Sequence, residues 1–164
     1  MKNYFQASPE NSYHISLGAI IFNKDRTKVL CHFIKEYKGY KNLYLLMRET
    51  INPNETFEIA LKRGCLEEFG AQVEIKHFIG SIVVKDNWFG EIGKEIEVEK
   101  TTLYFECALV DQDDSKRVDD GTIESKSELV WIEPEELIQK MTEFFDSYGI
   151  NNLNESEIIK RVLN

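Results

Sequence analysis

The chain is poor in backbone punctuation. It has three prolines and nine glycines in 164 residues, which excludes collagen-like and low-complexity architectures. Its three cysteines, Cys31, Cys65 and Cys107, are scattered and form no C-x-x-C pair. That scatter predicts free thiols and a reducing, cytoplasmic setting rather than a disulfide framework. No apolar run approaches the ~18 residues that a membrane span needs, so no membrane contact is expected. The opening Met1-Lys2-Asn3-Tyr4-Phe5-Gln6 lacks the apolar core of a secretory signal. Positive charge is also scarce. Twenty Lys and Arg stand against 29 Asp and Glu, a formal net charge of −9. A basic face for long nucleic acid is therefore not expected. A small phosphorylated ligand held through divalent cations is compatible with this charge, because hard cations prefer carboxylate oxygens.

What is present is a globular composition, 42% hydrophobic and 30% charged. The length is that of one domain, and residues 1–164 are read as a single one with a loose first dozen residues. Tyr13 to Phe22 and Lys28 to Ile34 read as strands joined in a hairpin through the turn residues 23–27. Lys35 to Asn42, with Lys35, Lys38 and Lys41 among tyrosines, reads as a solvated loop. Leu43 to Met47 is a short strand. Val73 to Val84 is another, followed by a loop from Asp86 to Gly93. Glu95 to Glu99 and Thr101 to Leu109 read as two further strands. Asp111 to Ser127 is a charged loop. Glu128 to Ile132 is the last strand, and Pro134 opens a helix at a position where its missing N–H costs nothing. Helices follow over Glu135 to Tyr148 and Glu155 to Leu163. Strands interleaved with helices in this order predict an α/β protein with a mixed sheet packed between helices.

The clearest element is a helix over Thr56 to Phe69. Thr56 is its N-cap, Gly70 its left-handed C-cap, and Phe57, Leu61, Cys65, Leu66 and Phe69 form its apolar stripe. Its other face concentrates charge. Arg63 and Glu67 are four apart and so share a face, while Gly64 lies beneath Glu68. Glu55 sits just before the first turn, where the helix dipole favours a carboxylate.

The stretch Glu49 to Ala71, ETINPNETFEIALKRGCLEEFGA, resembles the Nudix box G-x5-E-x7-R-E-U-x-E-E-x-G-U. Glu55, Arg63, Glu67, Glu68 and Gly70 match five of its seven fixed positions. The resemblance extends over roughly Tyr13 to Tyr148, through LGAIIF before the box and TTLYFECAL and ELVWI-Pro-Glu-Glu after it. It implies a Nudix fold, a mixed sheet sandwiched between helices (α/β/α). It also implies Mg²⁺- or Mn²⁺-dependent hydrolysis of a nucleoside diphosphate linked to another moiety. In that scheme Glu67 and Glu68 hold the metal and are catalytic, and Arg63 orients them. Small nucleotide-type substrates follow, among them oxidised nucleotides, dinucleoside polyphosphates, nucleotide sugars and coenzymes. A homodimer is an assembly the family often adopts.

Two departures stand out. Gly64 replaces the first of three helix carboxylates, and glycine inside a helix costs about 1 kcal/mol relative to alanine. Glu49, preceded by Arg48, replaces the opening glycine. The third metal carboxylate is then Glu49 itself, or one of Glu91, Glu95, Glu97 and Glu99. Arg48, Trp88 and Phe89 are the candidate substrate-binding residues, the two aromatics as a stacking platform for a base. His14, His32 and His77 sit singly on strands with no metal-ligand spacing. The alternative reading is a Nudix-fold domain that binds a nucleotide or a partner with weakened or lost catalysis.

Overall fold

The structure is a computed structural model that describes residues 3–89, 95–149 and 154–164. Its organising strand is β1 (Tyr13–Phe22), buried almost without interruption from His14 onward. A strand buried on both faces belongs at the centre of a sheet covered on both sides. Side chains alternate along it. Leu17, Ala19 and Ile21 enter one core layer with Leu61, Cys65 and Phe69 of the helix α1 (Phe57–Phe69). Ile20 and Phe22 enter a second layer with Leu137 and Met141 of α2 (Pro134–Tyr148) and Ile158 and Ile159 of α3 (Ser156–Leu163). The period of two thus divides one strand between two helical layers, and the α/β/α sandwich follows.

The sheet is mixed. β1 runs parallel to β6 (Glu95–Gln112) and antiparallel to both β2 (Val29–Tyr37) and β4 (Met47–Thr50). β3 (Tyr40–Leu45) and β7 (Glu128–Ile132) pair with β2, and β5 (Ala71–Phe89) pairs with β6.

Several expected boundaries move. The loop over Lys35–Asn42 is instead a tight hairpin, because Lys38 (φ 49°) and Gly39 (φ 87°) make a two-residue turn between the paired Tyr37 and Tyr40. The strand over Leu43–Met47 breaks at Leu46, whose N–H donates to Glu155 Oε2 at 2.8 Å rather than to a neighbouring strand. The two strands over 95–99 and 101–109 are one, since β6 pairs with β5 from Glu95 to Gln112, with three register shifts along the way. That pairing also carries the backbone of Trp88 and Phe89 into strand rather than loop. Phe57, assigned to the apolar stripe of α1, is 41% exposed at the start of the helix. Where they are described, the first dozen residues make hydrogen bonds to the body of the fold. Ile15 N–H donates to Phe5 O at 2.7 Å, Asn3 Nδ2 to Ile51 O at 2.8 Å, and Ala7 is buried.

The box helix begins and ends as its residues dictate. Thr56 Oγ1 accepts from Ile59 N–H at 3.2 Å, and Gly70 (φ 61°) closes the helix with its N–H on Leu66 O at 2.9 Å. A Cβ at Gly70 would run into the Asp113 carbonyl, so only glycine fits. Among the described residues, no helix is long and apolar enough to cross a membrane.

Candidate active site

The last carbonyls of α1 lack helical partners and are met from outside. Val118 N–H donates to Glu67 O at 2.8 Å, and Arg117 Nε donates to Glu68 O at 2.8 Å. Arg117 Nη2 also reaches Glu124 O at 3.0 Å and Ser127 O at 3.3 Å. One guanidinium therefore fastens the segment 117–127 to the end of the helix. The charged stretch that reads as a loop in the sequence becomes a wall of the site.

That wall, β4 and the end of α1 enclose a cavity of about 320 Å³ lined by Arg48, Glu49, Glu67, Glu68, Asp120 and Glu124, among others. A wider cleft of about 1430 Å³ adjoins it and shares Arg48, Thr122 and Glu124. Phe33, Tyr37 and Tyr40 line the cleft with Lys35, Lys38 and Lys126. Lys35 and Lys38, expected in a solvated loop, thus border the site.

Arg63 is the hub of the carboxylates. Its Nε and Nη2 grip Glu55 in a fork at 2.8 and 2.9 Å, and Nη2 also donates to Thr50 O at 2.9 Å. Its Nη1 lies 3.0 Å from Glu49 Oε2 and 3.1 Å from Glu67 Oε2. This is an interlocked fork rather than a lone surface pair. The hydrogen bonds from Arg63 hold the Glu55 carboxyl well below the usual carboxylate range. Glu55 Oε2 also accepts from Asn52 N–H at 2.9 Å and braces the loop before the helix.

Glu68 faces His32. Its Oε2 lies 2.8 Å from His32 Nε2, and His32 Nδ1 lies 2.6 Å from Ser127 Oγ. Burial, reinforced by the nearby Glu124 charge, pushes the Glu68 carboxyl up to about 8. Burial pulls the His32 imidazole down to about 3. Burial also pushes Glu49 up to about 7, against the opposing pull of Arg63.

Behind the cavity, Arg48 Nε lies 3.8 Å from Glu155 Oε1, and Arg48 Nη2 lies 4.0 Å from Glu124 Oε1. Glu155 is 1% exposed and accepts from Tyr104 Oη at 2.6 Å as well as from Leu46 N–H. Burial works against the Arg48 charge, but Glu155, Tyr104, Glu124 and Glu68 outweigh it, and the guanidinium is held more firmly charged than usual.

The structure thus brings Arg48, Glu49, Arg63, Glu67 and Glu68 together. Of the other loop carboxylates considered, Glu91 lies outside the described residues, as does the side chain of Glu95. Glu97 and Glu99 stand on β6, where Glu97 pairs with Asn87 and Glu99 with Lys85. The side chains of Trp88 and Phe89 also lie outside the described residues. Sequence reasoning missed His32, Arg117, Ser127 and Glu155. Only the burial of an ionisable residue in an apolar strand, as at His32 in VLCHFI, offered any signal.

Among the described residues, no three His, Cys, Asp or Glu side chains already converge as a metal cluster. The donor chemistry nevertheless fits a hard divalent cation, since the cavity presents several carboxylates and no thiol. The position of the missing helix carboxylate is also not empty space. A Cβ on Gly64 would lie 2.6 Å from the Cβ of Glu49.

Comparison with known proteins bears on the fold and the family. Among solved structures, a NUDIX hydrolase from Nitrosomonas europaea superposes with a TM-score of 0.62 at 17% identity, covering 91% of this chain and 87% of the other. The ORF135 protein of E. coli gives a TM-score of 0.56 at 15% identity over 95% and 94% of the two chains. A MutT protein from Methanosarcina mazei Go1 gives 0.52 at 17% identity over 87% and 96%. At these identities the likeness is one of fold. No curated protein matches significantly. The family model of the NUDIX domain matches residues 12–152, most of the chain, and the protein belongs to the NUDIX domain family.

Proposed function

We propose that the protein is a divalent-metal-dependent pyrophosphohydrolase acting on a nucleoside diphosphate linked to another group. One observation carries this reading: Glu49, Glu67, Glu68 and Arg48 share one small cavity that opens beside a larger cleft lined by aromatic and lysine side chains. Glu67, Glu68 and Glu49 would hold Mg²⁺ or Mn²⁺. Such an ion, when bound, neutralises the pyrophosphate and makes water a better nucleophile. The residues themselves do the rest. Arg63 keeps Glu49 and Glu67 aimed at one point. Arg48 offers a fixed guanidinium to a phosphate oxygen. Glu68 Oε2 holds a proton against His32 Nε2 and releases it to solvent when the carboxylate takes up a cation. The cleft receives the rest of the substrate, with Phe33, Tyr37 or Tyr40 offering faces to a base. Trp88 and Phe89 remain part of the proposal as a second stacking platform. The buried free thiols support a cytoplasmic setting.

The test is a turnover screen with nucleoside triphosphates, dinucleoside polyphosphates, ADP-ribose and nucleotide sugars, in Mg²⁺ and in Mn²⁺. Turnover of one class, reduced at least 100-fold in Glu68→Gln, supports the reading. Equal rates in wild type and Glu68→Gln on every substrate overturn it.

A second reading has its own observation. Glu68 is engaged by His32, and Glu49 and Glu67 are engaged by Arg63. A domain whose carboxylates already have internal partners suits binding without turnover. It would be stabilised by a nucleotide in thermal unfolding and release no product.

A further inference from the structure

Gly64 lies in the middle of α1, buried, on the side facing β4. A Cβ built on it would lie 2.6 Å from Glu49 Cβ, 2.9 Å from Glu49 Cγ and 3.0 Å from Met47 Sδ. Real Cβ atoms do not approach neighbours that closely. The methylene stem of Glu49 therefore fills the space where any side chain at position 64 would begin. Helix geometry puts residue 64 on one face with residues 67 and 68. Glu49 enters that same face from the strand.

Its carboxylate then turns toward the helix acids. Glu49 Oε1 accepts from Thr50 N–H at 2.6 Å. Glu49 Oε2 lies 3.0 Å from Arg63 Nη1, and the same nitrogen lies 3.1 Å from Glu67 Oε2. A single guanidinium nitrogen thus gathers one oxygen from the strand carboxylate and one from the helix carboxylate.

We infer that Glu49 and Gly64 are a reciprocal exchange. The strand-borne carboxylate of Glu49 stands in for a third carboxylate on the helix, and glycine is kept at 64 because Glu49 needs the space. The inference rests on the metal-dependent reading for the role of the carboxylate, but not for the packing of the pair. It makes a counterintuitive claim: restoring the family's glutamate at position 64 alone does harm, because the site then has two side chains for one space.

The experiment is a four-member cycle: wild type, Glu49→Gly, Gly64→Glu and the double variant Glu49→Gly with Gly64→Glu. Two readouts are taken, Mn²⁺ affinity from the free-ion electron paramagnetic resonance signal and thermal unfolding of the metal-free protein. Each single variant is expected to bind Mn²⁺ at least tenfold more weakly than wild type. The double variant is expected to return to within about threefold. A double variant no better than the weaker single overturns the exchange while leaving the hydrolase reading intact. Wild-type protein that binds no Mn²⁺ overturns both the hydrolase reading and the role given to Glu49.

Packing is tested separately with Gly64→Ala, which adds one methyl and no charge. In the wild-type background it is expected to lower the unfolding temperature. In the Glu49→Gly background, where the space is free, it is expected to raise it, since alanine favours helix. The same sign in both backgrounds overturns the steric coupling.

Discussion

His32 Nε2 lies 2.8 Å from Glu68 Oε2, and the rest of the chain decides which of them holds the proton. Ser127 Oγ donates to Glu124 O at 2.7 Å, so its lone pair is left to accept from His32 Nδ1 at 2.6 Å. Neutral His32 then carries its hydrogen on Nδ1 and presents a bare Nε2 to Glu68. The proton between them belongs to Glu68, in line with a carboxyl raised to about 8 and an imidazole lowered to about 3.

The pH dependence of the metal-free protein follows. Glu68 has a folded value above its ordinary 4.5, so its contribution to stability is complete below about 4.5 and is lost as pH rises through about 8. Glu49, raised to about 7, acts in the same direction. His32 has the opposite sign: its contribution is complete above 6.5 and is lost as pH falls toward about 3. The unfolding temperature is expected to fall by a few degrees between pH 6 and 9, and Glu68→Gln to flatten that alkaline fall. Calorimetric Mn²⁺ titrations in buffers of different ionisation enthalpy are expected to show proton release at pH 7, since carboxylate ligands must be deprotonated to bind.

Arg63 makes a second prediction. It donates to Glu55, Glu49, Glu67 and Thr50 O at once. Lysine is a point charge on a flexible stem and cannot reproduce a fork and two further contacts. Arg63→Lys is expected to lower kcat about 10- to 100-fold, the usual cost of losing a residue that orients metal ligands. Its unfolding temperature should drop by a few degrees. A surface ion pair would instead be worth well under 1 kcal/mol, and its loss would leave kcat unchanged.

The sequence shows some of this site and hides the rest, for physical reasons. Arg63, Glu67 and Glu68 were legible because a helix fixes which residues share a face. Thr56 and Gly70 were legible because cap chemistry is local. Tyr37 and Tyr40 read as loop in the sequence because the turn uses Lys38 at positive φ, which a lysine rarely adopts. Leu46 reads as mid-strand in the sequence because its partner, Glu155, lies 109 residues away. Arg117 and Ser127 were hidden for the same reason. Their partners are main-chain oxygens and one histidine, and no residue pattern announces a main-chain oxygen.

Glu155 carries the third prediction. It is buried among Tyr104 Oη, Leu46 N–H and Arg48, which ties the start of α3 to the floor of the cavity. Glu155→Ala strands a buried cation and two donors, a loss expected to cost about 3–5 kcal/mol. For a chain of this length that is roughly 6–20 °C in unfolding temperature. Glu155→Gln keeps an acceptor for Leu46 N–H and offers its amide N–H to Tyr104 Oη, which can accept, but removes the charge that holds Arg48. It is expected to fold, to keep most of kcat and to raise KM several-fold through a less fixed Arg48. Equal effects of Glu155→Gln on kcat and KM would point to a general loss of structure instead.

Arg117 gives the last prediction, and it separates the wall from the floor. Its guanidinium links Glu68 O on the helix to Glu124 O and Ser127 O on the loop, and the loop brings Asp120 and Glu124 to the cavity. Arg117→Ala removes these links without touching Glu49, Glu67 or the Arg63 fork. The segment 117–127 should then open more often, since few other main-chain contacts fasten it to the body. Limited proteolysis is expected to cut within it faster, and hydrogen exchange at Val118 to speed up, because the Val118 N–H bond to Glu67 O closes beside Arg117. Mn²⁺ affinity should change little, as Arg117 touches the main chain of Glu68 and no carboxylate of Glu49, Glu67 or Glu68. Substrate KM should rise, because the cavity and the wider cleft share Thr122 and Glu124 on this segment. Weaker Mn²⁺ binding with unchanged KM would show that the wall serves the carboxylates rather than the substrate.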